Sequence, residues 1–155
     1  MKPVSRRSQK SGAMMPRWVR SMSSSCSQAH GEIIEWLERF SAAVRARDFD
    51  AGRALFAEGV TAFGTRADSM HGLAQLEAEQ WQPTWRATRG YRFNFDAADI
   101  QVSSDFAYAA IPWHSEGVEP SGRTFDRFGR ATYILRKIEG RWLAVHTHHS
   151  LSPNA

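Results

Sequence analysis

A single cysteine, Cys26, is all the thiol chemistry the chain has, so neither an intramolecular disulfide nor a cysteine-built metal site can form. That usage fits a reducing compartment, and the location expected on this ground is cytoplasmic. Long apolar runs are also missing. A bilayer-crossing helix needs about 20 consecutive apolar residues, and no stretch approaches that, so no membrane partner is expected. Acids are absent from the first 31 residues, which carry Lys2, Arg6, Arg7, Lys10, Arg17 and Arg20. The whole chain has a formal charge of +4, so the remainder carries a net −2. A nucleic-acid reading therefore belongs to the leader and not to the body, where basic residues are scattered among acids; no nucleic-acid partner is expected.

Aromatic residues are abundant, with six Trp, nine Phe and three Tyr in 155 residues. Large rings dominate cores and ligand cavities alike. The length suits one domain with a real core. Residues 1–29 mix Ser, Arg, Gly and Pro with few apolar side chains and read as a disordered basic tail, because they offer too little burial to offset the entropy of ordering. Within it, Ser5-Arg6-Arg7-Ser8-Gln9-Lys10 is similar to a twin-arginine export signal, but Arg17 and Arg20 interrupt the apolar stretch that should follow. The plainer readings are a basic leader, or a true start at Met14, Met15 or Met22.

The body, residues 30–153, opens with a helix over 32–47, in which Ile33, Trp36, Leu37, Phe40 and Val44 recur with helical spacing. Asp48-Phe49-Asp50 supplies capping oxygens for a second short helix to about Ala57, bringing Leu55 and Phe56 inward. Val60–Phe63 reads as a brief strand, and Gly72 to about Gln82 as a third helix that Pro83 limits. After Gly90 the period changes from about four to two: Tyr91, Phe93 and Phe95 alternate with Arg92 and Asn94, Phe106–His114 follows, and Arg123–Ile138 joins Arg141–Ser150 through Glu139-Gly140. Helices first and strands afterwards predict an α+β domain with a curved antiparallel sheet and three helices over its concave face.

Several features of residues 30–153 together carry a resemblance. They are the link Arg47-Asp48-Phe49-Asp50, the strand before Gly72, the run Arg130-Ala131-Thr132-Tyr133-Ile134-Leu135-Arg136-Lys137, and the ending Gly140-Arg141-Trp142 with His146-Thr147-His148-His149-Ser150. The combination resembles the SnoaL-like (DUF4440-type) branch of the nuclear transport factor 2-like superfamily, which includes ketosteroid isomerase-like proteins. The resemblance implies a cone-shaped cystatin-like fold, a homodimer through the outer sheet face, and a pocket between helices and sheet. It implies relatives that are cyclases, isomerases or dehydratases, and others that are non-catalytic assembly domains, so fold does not fix function. Isomerases of this kind keep a carboxylate base beside the start of the early strand. Val60-Thr61-Ala62-Phe63 holds no acid, so proton transfer would fall to a histidine, whose pKa lies near neutrality.

Strand alternation places Trp142, Ala144, His146, His148 and Ser150 on one face, and Leu143, Val145, Thr147 and His149 on the other. The catalytic candidates are accordingly His148 as general acid/base, His146 as its support, and Arg130 to stabilise oxyanion charge. Arg130 shares its face with Thr132; its bland alternative is an ion pair with Asp126 or Glu116. The ligand-contacting candidates are Trp113, Phe63, Trp85, Phe40 and Thr132, and the expected partner is a small hydrophobic molecule. His146 and His148 also have two-ligand metal spacing, but no third ligand is signalled, so no metal and no cofactor is expected. The competing reading is a non-catalytic ligand-binding or dimeric assembly module in which the histidines are structural.

Overall fold

The computed structural model describes residues 17–153, with side chains described from Ser25. The elements are helix α1 (Arg17–Ala46), α2 (Phe49–Arg53), strands β1 (Phe56–Phe63) and β2 (Ser69–His71), and helix α3 (Leu73–Leu76). A π-helical turn (Glu77–Trp81) then leads into helix α4 (Gln82–Arg86). Strands β3 (Thr88–Phe93), β4 (Asp99–Val102), β5 (Phe106–Val118), β6 (Thr124–Ile138) and β7 (Arg141–Leu151) complete the chain. The strands form one unclosed sheet in the order β2-β1-β7-β6-β5-β3, with β4 also on β5. The α+β architecture agrees with the sequence reading, with one correction: β1 runs parallel to β7, so the sheet is mixed. A parallel pair needs a long crossover, which the chain between β1 and β7 supplies.

Helix α1 forms where apolar residues recur at helical spacing, and Ile33, Trp36, Leu37, Phe40, Ala43 and Val44 are all buried against the sheet. It begins at Arg17, well before the expected start near residue 32. The tail expected to be unstructured thus holds a helical segment from residue 17 to 29, whose side chains are exposed or half-buried where described. Its earlier part, 1–16, lies outside the described residues. A short propensity-poor stretch becomes helical here as the continuation of an already nucleated helix, where each further residue adds a bond without a new nucleation cost. Arg47, at φ 57°, ends α1, and Asp48 caps α2 by accepting from the Ala51 amide at 2.9 Å.

Pro83 does not stop the third helix. The Gln82 amide bonds back to the Glu77 carbonyl, a π-type step, and the proline then enters in the first turn of α4, where its missing N–H leaves no bond unmade. Arg53 clasps this segment by pairing with Glu77 and Asp50. The β6–β7 hairpin turns through Glu139 and Gly140, both at positive φ as a two-residue turn of this kind requires. Glu32 on α1 accepts from Lys137 Nζ (2.9 Å) and Trp142 Nε1 (2.7 Å), which ties the helix to the hairpin. Those two bonds hold its carboxyl below the usual range.

Candidate functional site

The inward face of each long strand follows from its apolar parity. On β5, Ala107, Ala109, Ile111, Trp113 and Ser115 are buried; on β6, Gly129, Ala131, Tyr133 and Leu135. Strand β7 breaks the simple alternation. Ala144 faces Leu135 and His146 faces Ile134, so Val145 is an extra residue, a β-bulge on the outer side. Counting inward positions through it gives Trp142, Ala144, Thr147 and His149. The strand therefore carries His149 toward the concave side and leaves His146 and His148 on the convex one, the reverse of the unbroken alternation read from the sequence.

The cavity lies between this concave face, α1 and the segment from α3 to α4. Phe40 and Val44 of α1, Trp81 and Trp85 above, and Tyr91, Trp113, Thr147 and His149 from the sheet line it. It is narrow, with about 40 Å³ of free volume, enough for ordered water but well below the ~300 Å³ at which drug-sized pockets begin. The roof is aromatic. Phe49 stacks on Trp85 (5.0 Å, 9°), and Trp85 on Trp81 (4.8 Å, 20°). Partly exposed lining residues, among them Phe63, Thr65, Thr84 and Arg127, mark the mouth.

At the inner end His149 is hydrogen-bonded to Tyr133, Tyr91 and Thr147. Tyr133 Oη lies 2.8 Å and Tyr91 Oη 3.3 Å from His149 Nε2, while Thr147 Oγ1 lies 3.2 Å from Nδ1. Although the His149 residue keeps some exposure overall, both ring nitrogens are engaged. Burial, with a smaller push from the neighbouring His148, lowers its pKa to about 4. It is therefore a neutral imidazole at physiological pH. Of the two ring nitrogens of this neutral imidazole one carries the proton and the other accepts, with Tyr133 and Tyr91 as the partners at Nε2 and Thr147 as the partner at Nδ1. Burial likewise raises the Tyr91 and Tyr133 hydroxyls, so both stay protonated. Among the described residues no Asp or Glu lines the cavity.

The sequence candidates divide cleanly. Trp113, Trp85, Phe40 and Phe63 line the cavity. Phe63 does so from the rim, with its ring also against those of His146 (5.1 Å) and His148 (5.6 Å). His148, His146, Arg130 and Thr132 do not reach it. Arg130 is exposed and donates to Ser150 Oγ and the Leu151 carbonyl, both at 3.3 Å, rather than to Asp126 or Glu116. Asp126 pairs instead with His114 (2.7 Å). Thr132 stands opposite His148 in the ladder, on the same convex face. The residues missed were His149, Tyr91, Tyr133, Thr147, Ser115 and Arg127. On β6 a signal existed: Ala131, Tyr133 and Leu135 are the apolar parity, so their face is the inner one and carries Arg127 with it.

Comparisons agree with this architecture. A family model described as a SnoaL-like domain matches residues 33–154. A nuclear transport factor 2-like superfamily protein from Salmonella enterica is 25% identical, with a TM-score of 0.72 over 83% of this chain and 95% of that one. An NTF2-like protein with a cystatin-like fold from Novosphingobium aromaticivorans is 18% identical, with a TM-score of 0.72 over 92% and 94%. A provisionally assigned dehydratase of the NTF2-like family from Streptomyces avermitilis is 14% identical, with a TM-score of 0.70 over 82% and 98%. The last two likenesses speak to fold alone. No curated protein matches the sequence.

Proposed function

The chain belongs to the SnoaL-like domain family, and from that premise we propose that it binds a small, largely hydrophobic molecule in its cone cavity and moves a proton within it. This is chemistry of the isomerase, cyclase or dehydratase type. His149 takes the acid/base role in place of His148 and His146. The observation that carries the reading is the His149–Tyr133–Tyr91 trio at the end of an otherwise aromatic cavity. A neutral imidazole is a base that needs no deprotonation at pH 7. In the proposed step the Tyr133 hydroxyl donates to Tyr91 and frees His149 Nε2, which takes a proton from a carbon beside a carbonyl. The Tyr91 hydroxyl donates to the oxyanion that develops, and the proton returns from Nε2 to a second carbon. The low proton affinity of His149 rises as that negative charge forms beside it.

The test is proton exchange. A panel of cyclic ketones and enones is incubated with the protein in D2O and followed by proton NMR for loss of the α-hydrogen signal. Catalysed exchange that disappears in His149→Gln is expected. Absence of exchange with every ketone sinks the acid/base step; absence of any thermal shift with the same panel sinks ligand binding as well. We further propose a homodimer through the convex sheet face in a cytoplasmic setting; among the described residues no helix is long and apolar enough to cross a membrane.

A further inference from the structure

We propose that the mouth of the cavity is a carboxylate-recognition subsite centred on Arg127, so that the bound molecule is a small monocarboxylate with a flat apolar body. This rests on the reading that the cavity holds a small molecule, and it names the chemical class of that molecule.

Arg127 is a half-buried guanidinium among the cavity-lining residues. Among the described residues its one hydrogen bond runs from Nη1 to Thr88 Oγ1 at 3.3 Å, and its carbon Cζ sits 5.6 Å from the Trp113 ring centroid. Among the described residues it has no ion pair. The acids beside it in the ladder are turned away by alternation: Asp126 pairs with His114 on the convex side, and Glu116 is exposed there. A half-buried guanidinium at the mouth with four N–H groups free of protein partners has its forked donors available to an anion. Burial lowers its proton affinity; the nearby Tyr91 works against that, and Arg66 adds a smaller lowering. The Arg66 segment is fixed in place by Gln80, whose Oε1 accepts from the Arg66 amide at 3.0 Å.

Neutral donors converge on the same place. Ser115 is the direct ladder partner of Arg127, and Trp113 is the next inward residue along β5. Trp113 Nε1, Ser115 Oγ and Thr84 Oγ1 are all buried and all without a protein partner. Buried polar groups are nearly always satisfied, so three orphans around one cavity mark a place where another molecule supplies the bonds. Two glycines keep the place open. A Cβ at Gly129 would overlap the Trp113 indole, and one at Gly117 would come within 2.9 Å of Arg127 Cδ. One guanidinium and three neutral donors match a singly charged anion, and a planar carboxylate suits both the forked donors and a narrow cavity better than a tetrahedral dianion. The aromatic roof then covers the apolar body of the ligand, and because the free volume is only about 40 Å³ the roof side chains must shift to admit it.

The experiment titrates the full chain by calorimetry with benzoate and with benzamide, which share a ring and differ in charge. Benzoate is expected to bind about 10- to 100-fold more tightly, the range for a hydrogen bond to a charged group. Arg127→Gln should remove that preference while leaving benzamide binding in place, and Arg127→Lys should keep part of it. Arg127→Gln should also raise or preserve the thermal midpoint, since an uncompensated cation has been removed; a purely structural arginine would lower it. Equal binding of both probes, or a preference unchanged in Arg127→Gln, overturns the carboxylate subsite and leaves the cavity reading standing. Binding of neither probe overturns both.

Discussion

His149 couples the site to stability through a proton it refuses. In the unfolded chain an imidazole takes up a proton near pH 6.5, whereas in the fold it does so only at about 4. Between those values the unfolded state binds more protons, so stability falls as pH drops from 6.5 and levels off below about 4. Above 6.5 the contribution is whole. The full loss is roughly 3 kcal/mol at most, from the 1.36 kcal/mol that each pKa unit represents. Urea unfolding at pH 7.5 and 4.5 should show that decline in the native protein and a clearly smaller one in His149→Phe, which fills the same space without titrating. Equal declines in the two proteins would mean that the imidazole is not held neutral. At this scale the sequence spoke through parity. Trp113 belongs with Ala109 and Ile111, and it does face the cavity; the same argument on β6 would have led from Leu135, Tyr133 and Ala131 to Arg127.

The β7 strand shows why the histidines were not legible. Trp142 and Ala144 are inward, as alternation counted from Trp142 requires, but the next inward residue is Thr147 because Val145 is bulged out of register. A bulge is a property of how β7 meets two neighbours, and its ladder with β1 is irregular over the same residues. Nothing in Leu143-Ala144-Val145-His146 announces it. Because the bulge adds its residue on the outer side, deleting Val145 should restore plain alternation and keep His149 inside. NMR titration of the deletion variant is expected to retain one imidazole titrating near 4, at the cost of stability. Transfer of the depressed titration to His148 would refute the bulge as the cause. The π-helical turn has a similar lesson. Pro83 reads as a stop, yet a helix can pass a proline where the preceding turn has already shifted its bonding.

For the molecule as a whole, order of elements and the switch in period were enough to set the α+β cone and its family, since both follow from local patterning. The parallel β1–β7 pair and the narrowness of the cavity depend on the complete packing and are not readable in the sequence. The convex face is where residues first assigned to catalysis ended up. It presents His146, His148 and Arg130 together with exposed Phe128 and Phe106, which are 48% and 41% accessible. Large apolar side chains left bare beside polar ones are what the proposed dimer contact would cover. Sedimentation equilibrium should give a dimer for the native chain and a monomer for Phe128→Asp, with the cavity titration of His149 unchanged; a monomeric native protein would remove the dimer. The roof of that cavity has an optical consequence of its own. Trp81 and Trp85, stacked at 4.8 Å and nearly parallel, are close enough for their transitions to mix, so the pair is a chiral chromophore as well as a lid. Whatever enters beneath it must alter the circular dichroism of that pair, and the protein thereby reports its own occupancy without a label.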